Sequence, residues 1–285
     1  MEKMTGIMAG WLIMSATEAK KDYGFVVENG KIVEIVPNEK LLGKEGVIDA
    51  RDSIVCPTFT NTHTHFYETL AHGATEPNLS LKPLLEDFWW PVVENRQTLE
   101  TIRISTEYSA LESMTSGVTL CNDILEAPFA ERGKRLLTEE AVIRKAGMKA
   151  VLSLESNERI STENGYENLE ENKNFILKMR ETGNSDIRGT ICTHTTFSCS
   201  TPFLMKAAGM ARDMDEYIQI HMNEGPDEDK CCVDKYGMTT AELYKKIGFW
   251  EGGKAWANQC SCMEPVELNI MGQMGVGIST QPRSN

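Results

Sequence analysis

The sequence is poor in positive charge and contains no long apolar run. Its 29 lysines and arginines are outnumbered by 42 acidic residues, which gives a formal net charge of −13. Nucleic acids and anionic membrane surfaces are bound through basic patches, so this balance argues against both as partners. No apolar segment approaches the ~20 residues of a membrane-spanning helix. We therefore expect a cytoplasmic protein without a membrane span.

The 8 cysteines do not form a recognisable framework. The close pairs Cys231–Cys232 and Cys260–Cys262 lack the spacing of zinc fingers, and no disulfide pattern is evident. Reduced thiols of the cytosol are the expected state. The apolar stretch Gly6–Met14 is the one segment similar to a signal-peptide core, but it is short and follows a single lysine, so secretion is the disfavoured alternative.

The pattern of apolar and polar residues changes near residue 56. Before it, Phe25–Val36 is typical of two alternating strands around the turn Asn29-Gly30. After it, apolar strands alternate with amphipathic helices, which indicates βαβ units and a parallel sheet, either wound or closed as a barrel. The pattern predicts strands at 54–60, 117–124, 147–154, 188–193, 217–222, 254–259 and 275–280, and helices at 98–115, 137–146, 166–182, 201–213, 238–247 and 264–274.

Of the 5 histidines, all but His72 lie at the predicted carboxyl ends of strands. Residues i and i+2 of a strand share a face, so His63 and His65 can bind one metal ion. His221 ends another strand, where barrel active sites form. Glu224, close behind it, can move protons beside a metal-activated water. His194 also closes a strand. The alternative for each histidine is a hydrogen-bonded structural role in an ordinary α/β sheet.

Five segments together resemble the amidohydrolase superfamily, in particular its branch of cytosine, guanine and adenosine-type deaminases and triazine chlorohydrolases. The similar segments are Cys56–His65, Ser113–Thr119, Thr193–Ser200, Ile220–Glu224 and Met274–Asn285. The resemblance implies an α/β fold of the (β/α)8, TIM-like barrel type, incomplete in this chain. Residues 56–285 would supply barrel strands 1–7 of 8, preceded by part of a small N-terminal β-sandwich in residues 1–55.

The resemblance also implies a reaction. His63, His65 and His221 would bind one divalent metal ion, zinc first and iron or manganese as alternatives. Glu224 would carry protons to the leaving nitrogen, and His194 would contact the substrate. The expected chemistry is hydrolysis of a non-peptide C–N bond, by deamination of a purine, pyrimidine, pterin or triazine-like ring. Trp89 lies in the segment that covers the pocket in this family, where it would stack on a flat small-molecule substrate or pack in the core.

Three positions depart from the family pattern. Gln259 replaces a histidine of the sixth strand, and it can hold a water but cannot take up a proton near neutral pH. Cys262 replaces a second histidine that contacts the substrate; we expect it to line the pocket, with a thiolate metal ligand as the alternative. The metal-binding aspartate of the eighth strand would lie beyond residue 285.

Three explanations for that missing strand stay open: a shortened chain, a partner chain that completes the barrel, or a catalytically inactive relative that binds a ligand or partner. The exposed sheet edges predict a homo-oligomer or a completing partner chain. The acidic stretch Glu155–Glu171 is expected to be a solvated surface.

Overall fold

The protein is described here by a computed structural model that covers residues 5–74, 78–183 and 185–283. The chain divides into two compact units, Met1–Phe59 and Thr60–Asn285. No helix within the described ranges is both long enough and apolar enough to cross a bilayer. All 8 cysteines are free thiols.

The first unit is a sheet of five strands: β1 (Gly6–Ser15), β2 (Glu18–Lys21), β3 (Tyr23–Glu28), β4 (Lys31–Pro37) and β5 (Val47–Val55). A 3₁₀ turn covers Asn38–Lys40. The order is β2-β1-β3-β4, and β5 pairs with β1 in parallel. The predicted hairpin at Asn29-Gly30 is confirmed, because both residues have positive φ angles and join β3 to β4. The apolar stretch Gly6–Met14 forms most of β1.

The second unit alternates strands and helices. Its strands are β6 (Phe59–Thr64), β7 (Val118–Leu125), β8 (Lys149–Leu154), β9 (Ile187–Gly189), β10 (Ile191–Thr193), β11 (Ile218–Met222), β12 (Ala255–Gln259) and β13 (Gly277–Ser279). Its α-helices are α1 (Leu81–Leu84), α2 (Leu99–Thr115), α3 (Arg135–Ala146), α4 (Thr162–Thr182), α5 (Thr201–Asp213), α6 (Pro226–Tyr236), α7 (Thr240–Lys246) and α8 (Pro265–Met274). A π-helix covers Leu85–Val93, and 3₁₀ turns cover Phe66–Ala71 and Glu94–Arg96.

These strands form two parallel sheets in chain order, β6-β7-β8-β9 and β10-β11-β12-β13. A parallel bridge between Ser156 and Thr193 connects the two sheets. At the other side, Thr62 Oγ1 of β6 and Ser279 Oγ of β13 are 2.7 Å apart. The described residues contain no backbone pairing between β6 and β13. The predicted α/β alternation with parallel strands is confirmed, in the order that a β/α barrel requires.

The predicted first barrel strand, 54–60, is wrong in its bounds. The chain leaves β5 at Val55 and enters β6 only at Phe59. Pro57 lies in the break, since proline has no N–H to donate to a sheet and has a fixed φ. The shift has a consequence for the site, because it brings His63 into β6 and leaves His65 just beyond the strand.

Local sequence signals determine where several helices begin and end. Thr98, Ser161 and Ser200 cap α2, α4 and α5, each accepting a hydrogen bond from a backbone N–H in the first turn. Two apolar clusters, around Leu152 and around Ile220, pack these helices on the sheets. The loops that follow the strands are thereby held at the carboxyl ends of the sheets, where the histidines lie.

Candidate metal centre

Three histidines from two strands converge at one point. His63 is in β6, His65 follows it, and His221 is in β11. Their ring centroids are 4.8 to 5.2 Å apart. One ring nitrogen from each lies within 4.8 Å of the others. The structure thus brings together the three side chains that the sequence singled out as metal ligands.

The distance between the ring nitrogens suits a cation with tetrahedral coordination. Nε2 of His65 and Nε2 of His221 are 3.2 Å apart. Two nitrogens bound to zinc at ~2.0–2.1 Å and a tetrahedral angle are about 3.3 Å apart. Burial, together with the neighbouring imidazoles, lowers the pKa of both His63 and His221 well below the usual value. The rings are therefore neutral near pH 7, which is the form that binds metal.

The tautomer of His65 follows from its partner. Its Nδ1 lies 2.8 Å from the carbonyl oxygen of Ile124. A carbonyl oxygen can only accept, so Nδ1 carries the proton and Nε2 presents its lone pair toward His221. Such a partner on the far nitrogen is typical of metal-binding histidines. The donor set present in this chain thus fits a divalent ion of the zinc type.

Gln259 reaches the same group from the end of β12. Its side-chain Nε2 is 3.3 Å from His63 Nε2, and its backbone N–H donates to Gln281 Oε1 at 3.0 Å. Gln259 and Cys260 both have positive φ angles, 74° and 54°, in a conformation that costs free energy for residues with a Cβ. The structure therefore turns the chain sharply here and aims the Gln259 amide at the histidines.

A cavity of about 790 Å³ opens over the histidines. Its wall includes Glu224, His194 and Trp89, three of the residues singled out from the sequence. His194 is buried, its Nδ1 lies 2.7 Å from Ser198 Oγ, and burial lowers its pKa to about 3.

Cys262, which the sequence singled out as a residue lining the pocket, is exposed and does not belong to the cavity wall. Its Sγ instead faces the Glu224 carbonyl oxygen at 3.8 Å.

Sequence reasoning missed Glu155. The expectation that Glu155–Glu171 is a solvated surface is wrong at both ends, where the two glutamates are buried. Glu155 follows β8, and its Oε2 is 3.2 Å from His221 Nδ1. Burial and nearby carboxylates raise its pKa well above the usual value. The available signal was its position just after a barrel strand, the same signal that singled out the histidines.

A buried ion group adjoins the cavity. Arg159 donates to Glu94 at 2.9 Å and to Glu126 at 2.8 Å, and all three side chains are at most 6% exposed. Tyr67 also donates to Glu94, at 3.2 Å. Burial, with Glu126 nearby, raises the pKa of Glu94 to about 8 despite the Arg159 charge. Arg159 thus donates to two acidic side chains, one of which, Glu94, belongs to the cavity wall.

A polar layer lies below the histidines in place of the apolar residues usual inside barrels. Gln219, two residues before His221, accepts hydrogen bonds through Oε1 from Asn122 at 2.8 Å, Trp256 at 2.9 Å and Asn258 at 3.2 Å. These bonds join β7, β11 and β12. They hold the strand that carries His221 in register with its neighbours.

The parallel β/α architecture and its converging histidines define a candidate metal centre, and the family match is more specific. The model of the amidohydrolase family matches residues 54–285. The chain belongs to the amidohydrolase family.

Similar curated proteins include the 5'-deoxyadenosine deaminases of Methanocaldococcus jannaschii and Methanosarcina mazei. The first is 29% identical over 93% of this chain and 61% of its own length. The second is 30% identical over 91% of this chain and 57% of its own length. The chain thus spans about 60% of the length of these relatives.

Solved structures show the same fold. An adenosine deaminase from Xanthomonas campestris with bound zinc has a TM-score of 0.86 at 19% identity, over 99% of this chain and 63% of that one. A guanine deaminase from C. acetobutylicum with bound guanine has a TM-score of 0.85 at 20% identity, over 99% and 68%. A triazine hydrolase has a TM-score of 0.80 at 18% identity, over 98% and 65%.

Proposed function

We propose that the protein is a metal-dependent hydrolase of a non-peptide C–N bond, which deaminates a purine or a related heterocycle. The main support for the proposal is the convergence of ring nitrogens from His63, His65 and His221 beneath a cavity of about 790 Å³. This volume is in the usual range for small-molecule sites. The names of the relatives favour an aminopurine nucleoside as the substrate class.

In this proposal His63, His65 and His221 hold one divalent ion, with zinc the first choice. The ion supplies Lewis acidity that makes water a nucleophile near neutral pH. Glu224 accepts a proton from the attacking water and returns it to the leaving nitrogen, so that ammonia departs. Gln259 orients the water by hydrogen bonding. His194 remains neutral and hydrogen-bonds the ring, and the Trp89 indole stacks on it.

Metal content is the first test. Protein purified without added metal or chelator is expected to contain about one equivalent of a divalent ion per chain, as a single three-histidine site requires. His63→Ala should lose that metal and remain folded. His72→Ala is the matched control, since His72 lines the cavity but does not belong to the histidine group. A folded wild-type protein that holds no metal, even after incubation with zinc, contradicts the proposal.

Turnover is the second test. Ammonia release is measured with 5'-deoxyadenosine, adenosine and guanine as substrates. Glu224→Gln should lower kcat by about 100-fold or more, because it removes the proton carrier, and should leave metal content unchanged. Glu251→Gln, at an exposed residue outside the cavity wall, serves as the control. A metal-loaded protein that releases ammonia from no heterocycle would identify it as a binding protein.

We further propose that the protein self-associates or binds a completing chain. β6 and β13 are the outer strands of their sheets within the described residues, and unpaired strand edges favour pairing with another chain. Sedimentation velocity is expected to show a dimer or larger species. A compact monomer over a wide concentration range argues against this.

A further inference from the structure

The carboxyl group of Glu155 faces Nδ1 of His221, the ring nitrogen opposite the one that approaches His65. Glu155 Oε2 and His221 Nδ1 are 3.2 Å apart, and each side chain is 5% exposed. His221 Nδ1 makes no hydrogen bond with any described residue, so its alignment with Glu155 falls short of a formed bond. The separation is within hydrogen-bond range, and such contacts commonly tighten when a site is loaded.

Glu155 is held in this position by three neighbouring groups. Its backbone N–H donates to the carbonyl of Leu125 at 2.9 Å, and its own carbonyl accepts from Asn168 Nδ2 at 3.2 Å. Its Oε1 accepts from Asn157 Nδ2 at 3.2 Å. These contacts fix the backbone and one carboxylate oxygen. The second oxygen, Oε2, therefore points toward His221.

We infer that Glu155 is a positioning residue for His221, whose Nδ1–H it accepts so that Nε2 is directed toward His65 as a metal-binding lone pair. A neutral imidazole carries one proton, so a proton on Nδ1 leaves Nε2 free. The Nε2 atoms of His65 and His221, 3.2 Å apart, then present two lone pairs to one point. A carboxylate behind a metal-binding histidine fixes both the tautomer and the ring orientation.

His194 does not compete for this role. Its Nδ1 is 3.9 Å from Glu155 Oε1, which is too long for a hydrogen bond, and it has Ser198 Oγ at 2.7 Å instead. The structure thus assigns the Glu155 carboxylate to one histidine. The inference rests on the proposed function only in taking Nε2 of His221 as the metal-binding atom.

The first experiment uses the wild-type protein without metal. Long-range ¹H–¹⁵N correlation spectra of the imidazoles, with His221 assigned through His221→Gln, report which nitrogen is protonated. The expected result is a proton on Nδ1 of His221. In Glu155→Gln the side-chain oxygen stays with Asn157 and the amide N–H₂ faces His221 Nδ1, so the signal should move toward the Nε2-protonated tautomer. Glu126→Gln is the matched control, because Glu126 is equally buried and binds Arg159.

The second experiment measures zinc affinity by chelator competition. Glu155→Gln should bind zinc about 10–100-fold more weakly, while Glu126→Gln stays near the wild-type value. The inference is overturned if both variants keep the wild-type tautomer and affinity. If Glu155→Gln does not fold, a wild-type His221 protonated on Nε2 overturns it by itself. A wild-type protein that binds no zinc refutes the proposed function, whereas the tautomer still decides the role of Glu155.

Discussion

His65 and His221 are separated by 156 residues, and their Nε2 atoms are 3.2 Å apart. This approach depends on the side-by-side arrangement of strands from the two parallel sheets, with Asn122 and Gln219 hydrogen-bonded between them. Any change that shifts β11 relative to β6 therefore separates the nitrogens. The stability of the polar layer and the geometry of the candidate metal centre are expected to change together.

Replacing Gln219 with leucine should destabilise the protein by about 3 kcal/mol, because Asn122, Trp256 and Asn258 lose their shared acceptor in a buried position. Urea unfolding followed by circular dichroism gives the free energy of unfolding. Gln273→Leu, at an exposed position of α8, is the control and should stay within about 0.5 kcal/mol of wild type. Equal effects of the two substitutions contradict the assignment of Gln219 as the centre of this layer.

Arg159→Met should lower the free energy of unfolding by about 3–5 kcal/mol, since it leaves Glu94 and Glu126 buried without a cation. Arg103→Met removes an exposed pair with Glu107 and should cost about 0.5 kcal/mol or less. Thermal and urea unfolding of the two variants provide the comparison. A similar small loss for both would mean that the buried carboxylates are protonated and need no partner.

Two helical glycines should respond oppositely to alanine. At Gly165 in α4 the added Cβ would lie 2.5 Å from the carbonyl oxygen of Asn157, so the backbone must shift and about 1–3 kcal/mol is lost. At Gly209 in α5 the Cβ meets nothing within 4 Å, and alanine should stabilise the helix by about 0.5–1 kcal/mol. Melting temperatures measured side by side distinguish the two. Stabilisation by both substitutions would show that the backbone at Asn157 moves away from the added Cβ at little cost in free energy.

Stability should fall as the pH rises through neutrality because of Glu228. Burial raises its pKa from 4.5 to about 7, outweighing the hydrogen bonds donated by the backbone of Thr196 and Asn223. The folded state therefore binds the proton more tightly than the unfolded state. This contribution is complete below pH 4.5 and is lost as the pH rises through 7, up to about 3 kcal/mol.

Glu228→Gln tests that dependence, because the amide stays neutral at every pH. The free energy of unfolding between pH 5 and 8 should decline less steeply in this variant than in wild type. Glu181→Gln, at an exposed residue of α4, should leave the wild-type slope in place. Identical slopes for Glu228→Gln and wild type would show that another group titrates in this range.

Trp89→Ala should raise KM about tenfold with a small change in kcat, if the indole stacks on the substrate ring at a value of ~1–3 kcal/mol. Trp89 is partly buried on the cavity wall and contacts Phe88 at a centroid distance of 5.6 Å. Trp89→Phe should retain most of the affinity. Trp11→Ala, at an exposed strand position, is the control. Unchanged KM in Trp89→Ala would assign the indole to packing alone.

Much of the fold was predictable because its signals are local. The turn Asn29-Gly30 needs positive φ angles, and the caps at Ser161 and Ser200 sit directly before helices. The alternation of apolar strands and amphipathic helices predicted the parallel sheets. The first barrel strand begins at Phe59, several residues later than the apolar pattern predicts, because Pro57 interrupts the chain between β5 and β6.

The sequence by itself determined which residue types stand at the ends of the strands, including the i, i+2 pair His63 and His65. Only the tertiary structure decided that Glu155 is buried against His221 and that Cys262 is exposed outside the cavity wall. The reason is physical: the burial of a polar side chain depends on which distant segments meet there. Glu155 lies in an acidic stretch of sequence that is typical of a solvated surface, and the left-handed backbone at Gln259 and Cys260 is not encoded by a glycine.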